Sequence, residues 1–219
     1  MFLKKVQPIL APPIDPIERY GPLAFKVLLF GILTIILFQA AGTFAEVRPY
    51  TPWPFMLRLV RNSIFLFIHE GGHMLFFFFG QTMMSLGGSF WQIVFPLLSF
   101  VIAVRQKSHV IAPFALFWVG ENMMDVSLYM RDAPLRRLPL LGGHKSGHDW
   151  WNLFRTWDMM DSADGIADFM YFFGVFICAV SIIGGVALAA YYFAHPIVKE
   201  KKFYVDPEER EPVASKSAF

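Results

Sequence analysis

The chain has a single cysteine, Cys178, among its 219 residues. One thiol can form neither an internal disulfide nor a Cys-x-x-Cys metal site, so both are excluded. Charged residues are also scarce, at 16% of the chain, with a formal net charge of +2 and no dense run of lysine or arginine. Because a phosphate-binding surface needs such a run, we expect no nucleic-acid partner.

Apolar residues make up 56% of the chain, which has 25 phenylalanines and a mean hydropathy of +0.48. This excess predicts an integral membrane protein whose main partner is the lipid bilayer. The N-terminal residues 1–22 combine positive charges with prolines and lack a continuous apolar region. We therefore expect a retained cytosolic or interfacial leader and not a signal peptide.

Five apolar segments predict an all-α membrane domain over residues 23–194 with about five transmembrane helices. The third segment is short and contains Pro96, so we expect it to be tilted, kinked or re-entrant. A polar stretch rich in tryptophan separates the fourth segment from the fifth and predicts an interfacial helix. Residues 195–219 are predicted to form a polar, flexible tail. The segments cover residues 23–44, 63–80, 89–104, 110–130 and 166–193.

The distribution of lysine and arginine in the short loops favours an N-terminus on the inner side of the membrane. If all five segments span, the tail lies on the opposite side from the N-terminus. The lysines of that tail, at positions 199, 201 and 202, argue for the reverse orientation. We expect a multi-pass protein with its N-terminus inside.

The second segment reads FLFIHEGGHMLFFFFG and places His69, Glu70 and His73 in the middle of an apolar run. In a helix, positions i and i+4 share one face, so both imidazoles can bind one metal ion. Ionisable groups within a membrane helix generally have a functional role. The pattern predicts a Zn²⁺ site held by His69 and His73, with Glu70 as the general base for a zinc-bound water.

A catalytic zinc needs a third protein ligand, and the sequence offers several carboxylates for that place. Asp125 is the leading candidate. It lies in the fourth segment, at about the same membrane depth as the two histidines of the second segment. Glu121 and Asn122 lie near it and could serve as ligand or could orient a histidine. The remaining alternatives are Asp164, Asp149 and His148, although Asp149 is more readily explained as the cap of an interfacial helix.

The sequence HEGGHMLFFFFG resembles the site-2 protease group of intramembrane metalloproteases, the M50 peptidases. Their motif reads HExGH with a glycine several residues later, and the matching positions are His69, Glu70, Gly72, His73 and Gly80. The resemblance implies a zinc ion on the two histidines, Glu70 as general base and cleavage of a transmembrane peptide. It also implies that residues 85–90, SLGGSF, form a hairpin that binds substrate as an added strand.

In the same family the third ligand is an aspartate followed by glycine, which is matched here only by Asp164 and Gly165. Glu121 and Asp125 are similar to the ExxxD element of a second group of membrane metalloproteases, the Ste24-like enzymes. The ligand set therefore stays open at this point.

Taken together, these features predict a zinc-dependent intramembrane endopeptidase acting on a transmembrane protein or peptide, with regulatory membrane partners. The alternative is a non-catalytic membrane subunit, for assembly or regulation, with a structural or vestigial metal site. A di-iron hydroxylase fits poorly because it needs several histidine boxes, and a metal transporter fits poorly because it needs a series of sites along a path.

Overall fold

The computed structural model describes residues 16–44, 64–138, 140 and 147–195. Within these ranges the protein is all-helical, as predicted, with two short 3-10 turns at Phe77–Phe79 and Met160–Ser162. Residues 1–15 and 196–219, which hold most of the predicted leader and tail, lie outside the described residues. The helices are α1 (Pro16–Phe44), α2 (Leu66–Phe76), α3 (Gln81–Arg105), α4 (Ile111–Asp132), α5 (Asp149–Thr156) and α6 (Ala163–Ala194).

Helix α4 forms the centre of the bundle, and most of its side chains are buried. It packs closely against α6, where a Cβ added to Gly120 would lie 2.5 Å from the carbonyl oxygen of Gly174. Such a contact lets two helix backbones approach at small residues, as is common in membrane proteins. The Ser181 hydroxyl of α6 also donates a hydrogen bond to the carbonyl oxygen of Pro113. These contacts place α4 and α6 side by side with opposite directions.

In the part of the chain that the structure describes, three helices are long and apolar enough to cross a membrane, namely Pro16–Ala41, Gln81–Arg105 and the helix ending at Ala194. The second and fourth predicted spans are not among them. Helix α2 has 11 residues, which is too short to cross a hydrocarbon core of about 30 Å alone. Helix α4 carries acidic side chains that the surrounding helices bury. The prediction of a helical membrane protein is supported, but that of five spans is not.

Helices α2 and α3 form an antiparallel hairpin around Gly80, whose φ of 90° suits a residue without a side chain. The predicted substrate-binding hairpin at SLGGSF is wrong, because these residues lie inside the continuous helix α3. Their glycines serve helix packing: a Cβ on Gly72 of α2 would lie only 2.2 Å from the carbonyl oxygen of Gly87. Pro96 does not end α3 either, which continues to Arg105.

The two ends of the described chain lie at the same end of the bundle. Near the start of α1, the ring of Tyr20 lies 5.9 Å from that of Phe193 at the end of α6. At the opposite end, the Tyr171 hydroxyl donates a hydrogen bond to the carbonyl oxygen of Ala41. Helices α1 and α6 are therefore antiparallel, which differs from the arrangement expected if all five segments crossed.

Candidate metal centre

Helix α2 presents His69 and His73 on one face, with ring centroids 4.8 Å apart. The i, i+4 spacing on a helix produces this arrangement directly. Glu70 lies next to His69, half-buried, and its charge acts on the His73 imidazole. The structure thus keeps the three residues of the HExxH motif in one helical turn.

Asp149, the first residue of α5, supplies a carboxylate that meets both imidazoles. Its Oδ2 lies 3.4 Å from Nε2 of His69 and 3.3 Å from Nε2 of His73. The three side chains are only 12%, 20% and 13% exposed, in the order His69, His73 and Asp149. Their ligand atoms all lie within 4.8 Å of one another, so a small enclosed site exists between α2 and α5.

The second nitrogen of each imidazole has an acceptor of its own. Nδ1 of His69 donates to Oε1 of Gln92 over 2.9 Å, and Nδ1 of His73 donates to the carbonyl oxygen of Met84 over 2.7 Å. A neutral imidazole carries one proton, so both Nε2 atoms then present lone pairs. Histidine ligands of metals typically have such a partner on the far nitrogen.

Two nitrogen lone pairs and a carboxylate oxygen therefore face one another in a largely buried site. Three acceptors at this distance repel unless a proton or a metal cation lies between them. Zinc bonds of 2.0–2.1 Å in tetrahedral geometry place ligand atoms about 3.3 Å apart, which matches the oxygen–nitrogen distances of 3.3 and 3.4 Å. The donor set of two imidazoles and one carboxylate fits a catalytic zinc, which keeps one position open.

Gly88 of α3 keeps the space beside this centre open. A Cβ added there would lie 2.6 Å from Nε2 of His69 and 2.6 Å from Nε2 of His73. Real Cβ atoms do not approach ring nitrogens so closely, so any larger residue would displace the imidazoles. Gly71, in contrast, would meet nothing within 4 Å, and only the second glycine of the motif borders another helix.

A set of hydrogen bonds holds α5 where Asp149 reaches the histidines. His148 caps α5, and its Nδ1 accepts from the backbone N–H of Trp151. Its Nε2 lies 3.3 Å from Oδ2 of Asp132, at the end of α4. The Trp150 indole donates to the hydroxyl of Ser89 on α3 over 3.0 Å. The α5 N-terminus is thereby tied to both α3 and α4.

The Asp149 carboxylate is held in its ionised form. Burial opposes ionisation, but in the metal-free site protonated His69 and His73 donate hydrogen bonds to the carboxylate and bring positive charge, and these lower the pKa of Asp149. The Tyr129 hydroxyl of α4 lies 3.3 Å from Oδ2 and accepts from the Asp149 backbone N–H. An ionised carboxylate is the form that ligates a metal.

The predicted third ligand, Asp125, is not the carboxylate that meets the two imidazoles. Its Oδ2 accepts a hydrogen bond from Nε2 of Gln92 over 2.8 Å, and the same amide is hydrogen-bonded to His69. Among the other candidates, Glu121 is buried and is not part of the ligand group. Asn122 donates to the carbonyl oxygen of Trp118 in its own helix.

Asp164 lies exposed in the first turn of α6 and is not part of the ligand group. The sequence left Asp149 as a minor alternative, because an aspartate at a helix start commonly caps that helix. The structure gives the capping role to His148, which leaves the Asp149 side chain for the histidines. Gln92 is a lone amide in an apolar segment, and this is a sequence signal for a polar site. The signal alone does not distinguish a residue that lines a site from one that bonds a neighbouring helix.

Comparisons with protein-family models, with curated proteins and with solved structures found no match. The function is therefore inferred from the site itself.

Proposed function

We propose that this chain is a zinc-dependent endopeptidase that hydrolyses peptide bonds of membrane-embedded substrates. The observation that carries the proposal is the convergence of two imidazole Nε2 atoms and one carboxylate oxygen beside Glu70. The likeness of the HEGGH sequence to the M50 peptidases supports the same reaction class. The proposal amends the ligand set to His69, His73 and Asp149.

In this proposal the three ligands hold the ion, and each has a partner that maintains its orientation. A bound zinc ion supplies a Lewis acid that lowers the pKa of a coordinated water to about 7. Glu70 acts as general base and general acid: its carboxylate accepts the proton of the attacking water and returns it to the departing amine. Glu70 is assigned this role because it occupies the general-base position of the HExxH pattern and is not one of the three ligands.

The membrane location of the substrate is supported by the surface of the α2 hairpin. Phe67, Met74 and Phe78 are 78%, 77% and 88% exposed, which suits contact with lipid or with a membrane-embedded peptide. His73 is the most exposed of the three ligands. Because the backbone of SLGGSF is occupied by helical hydrogen bonds, the substrate does not pair with it as an added strand.

The test compares Glu70→Gln with the wild type and with Glu18→Gln, the same change at an exposed site on α1. Each protein is purified, its zinc content is measured, and it is reconstituted in liposomes with a solubilised membrane-protein fraction. Mass spectrometry then detects new peptide termini. We expect Glu70→Gln to retain zinc and to lose cleavage by a factor of about 10²–10⁴, whereas Glu18→Gln behaves as wild type.

A wild-type protein that binds zinc but generates no termini above a blank liposome would contradict catalysis. That result would favour the alternative, a non-catalytic membrane subunit with a structural metal site. Equal cleavage by wild type and Glu70→Gln would remove Glu70 from the mechanism.

A further inference from the structure

We propose that Asp125 is a positioning residue that acts through Gln92 to hold His69 in the tautomer that binds metal. This inference rests on the metal centre of the proposed function. It gives Asp125 a role different from the direct ligation that its position in the sequence indicated, and it gives Gln92 a function.

Three side chains from three helices form a hydrogen-bonded relay. Nδ1 of His69 on α2 is 2.9 Å from Oε1 of Gln92 on α3. Nε2 of the same amide is 2.8 Å from Oδ2 of Asp125 on α4. Gln92 is 4% exposed and Asp125 is 9% exposed, so water cannot readily replace either bond.

The direction of these hydrogen bonds follows from the chemistry of the groups. An ionised carboxylate only accepts, so the Gln92 amide must turn its NH₂ group towards Asp125. Its carbonyl oxygen then faces His69 and requires a proton on Nδ1. The Nε2 lone pair is left for the metal. Each bond fixes the direction of the next, from Asp125 to the metal-facing nitrogen.

His73 shows why His69 needs this additional support. Its Nδ1 donates to a backbone carbonyl, that of Met84, which accepts and cannot donate. A glutamine amide, in contrast, can rotate by half a turn and offer its NH₂ group instead. That rotation would select the other His69 tautomer, with a proton on the nitrogen that faces Asp149. Asp125 prevents it, because the rotated amide would turn its oxygen towards the carboxylate.

The decisive variant is Asp125→Asn, which keeps the shape of the side chain but adds a donor. The introduced amide can donate to the Gln92 oxygen, so the Gln92 side chain is free to rotate and the relay loses its direction. We expect zinc affinity, measured by competition with a chelator, to fall about 10- to 100-fold, the range found for partners of metal-ligating histidines. Asp161→Asn, the same change at an exposed site, should leave the affinity unchanged.

A compensating variant distinguishes positioning from a general structural role. In the double variant Gln92→Glu with Asp125→Asn, the carboxylate at position 92 accepts from both His69 and the amide introduced at position 125. The relay then again requires a proton on Nδ1 of His69. We expect the double variant to recover most of the zinc affinity lost in Asp125→Asn. Thermal unfolding in detergent checks that each variant is folded.

Two results would overturn this inference and leave the metal centre intact. One is an Asp125→Asn protein that binds zinc as tightly as the wild type. The other is a double variant that binds no better than the single one, which would indicate that Asp125 acts as a ligand or only in packing. A wild-type protein that binds no zinc would instead refute the metal centre, and the inference with it.

Discussion

Replacing Gly88 with alanine tests the space between the two imidazoles. The added Cβ would lie 2.6 Å from Nε2 of both His69 and His73. The atoms in its way belong to side chains rather than to a neighbouring backbone, so the rings can rotate and the helices can stay in place. We therefore expect Gly88→Ala to fold but to bind zinc poorly.

The size of the effect follows from the distance that the rings must move. Ordinary van der Waals contact begins at 3.4 Å, so each ring nitrogen must retreat by 3.4 − 2.6 Å, or about 0.8 Å. Zinc–ligand distances tolerate about 0.2 Å. A displacement several times larger should weaken zinc binding at least 100-fold, which is about 2.7 kcal/mol of binding free energy.

Chelator competition and thermal unfolding, measured on the same preparations, separate the site from the fold. Gly71→Ala is the matched control, because its Cβ would meet nothing within 4 Å, and it should bind zinc normally. Gly72→Ala should instead destabilise the protein, since its Cβ would lie 2.2 Å from a backbone oxygen. A Gly88→Ala protein that binds zinc as well as Gly71→Ala would refute the site geometry.

Two further predictions concern the support of α5 and the arrangement of the bundle. Asp132→Ala removes the hydrogen-bond acceptor of the fully buried His148. We therefore expect a loss of about 1–3 kcal/mol in unfolding free energy and weaker zinc binding. An unchanged melting curve would contradict the role of His148 and Asp132 in holding α5. Cysteines introduced at the start of α1 and after α6 should react with an impermeant maleimide from the same face of oriented vesicles, and one introduced between α5 and α6 should react from the other. Labelling of the first two from opposite faces would contradict the antiparallel bundle. The three positions are Arg19, His195 and Asp161, all exposed.

The histidine pair could be predicted from sequence because its geometry is local. One helical turn separates His69 from His73, and helix periodicity alone places them on one face. The third ligand of the group, a carboxylate, could not be predicted in the same way. Asp149 is separated from His69 by 80 positions, and its approach depends on how α5 packs against α3 and α4. An N-terminal aspartate is also a good helix cap, so the pattern had a simpler explanation.

The presence of helices followed from the apolar segments, but the number of spans and the form of SLGGSF did not. Helix α4 has 22 residues, which is long enough for a span, yet its acidic side chains are buried by the rest of the protein. The glycines of SLGGSF indicated a substrate-binding hairpin, whereas Gly87 and Gly88 allow α2 and α3 to approach and leave room beside the two imidazoles. Glycine pairs serve both purposes, and only tertiary contacts distinguish them.

Zinc analysis of purified protein tests the proposed metal centre most directly. We predict one zinc ion per chain in the wild type and almost none in Asp149→Ala, because that change removes one of three ligands. Asp125→Ala should still bind one zinc ion when zinc is in excess, since Asp125 acts through Gln92. Full zinc content in Asp149→Ala, with none in Asp125→Ala, would contradict this ligand set.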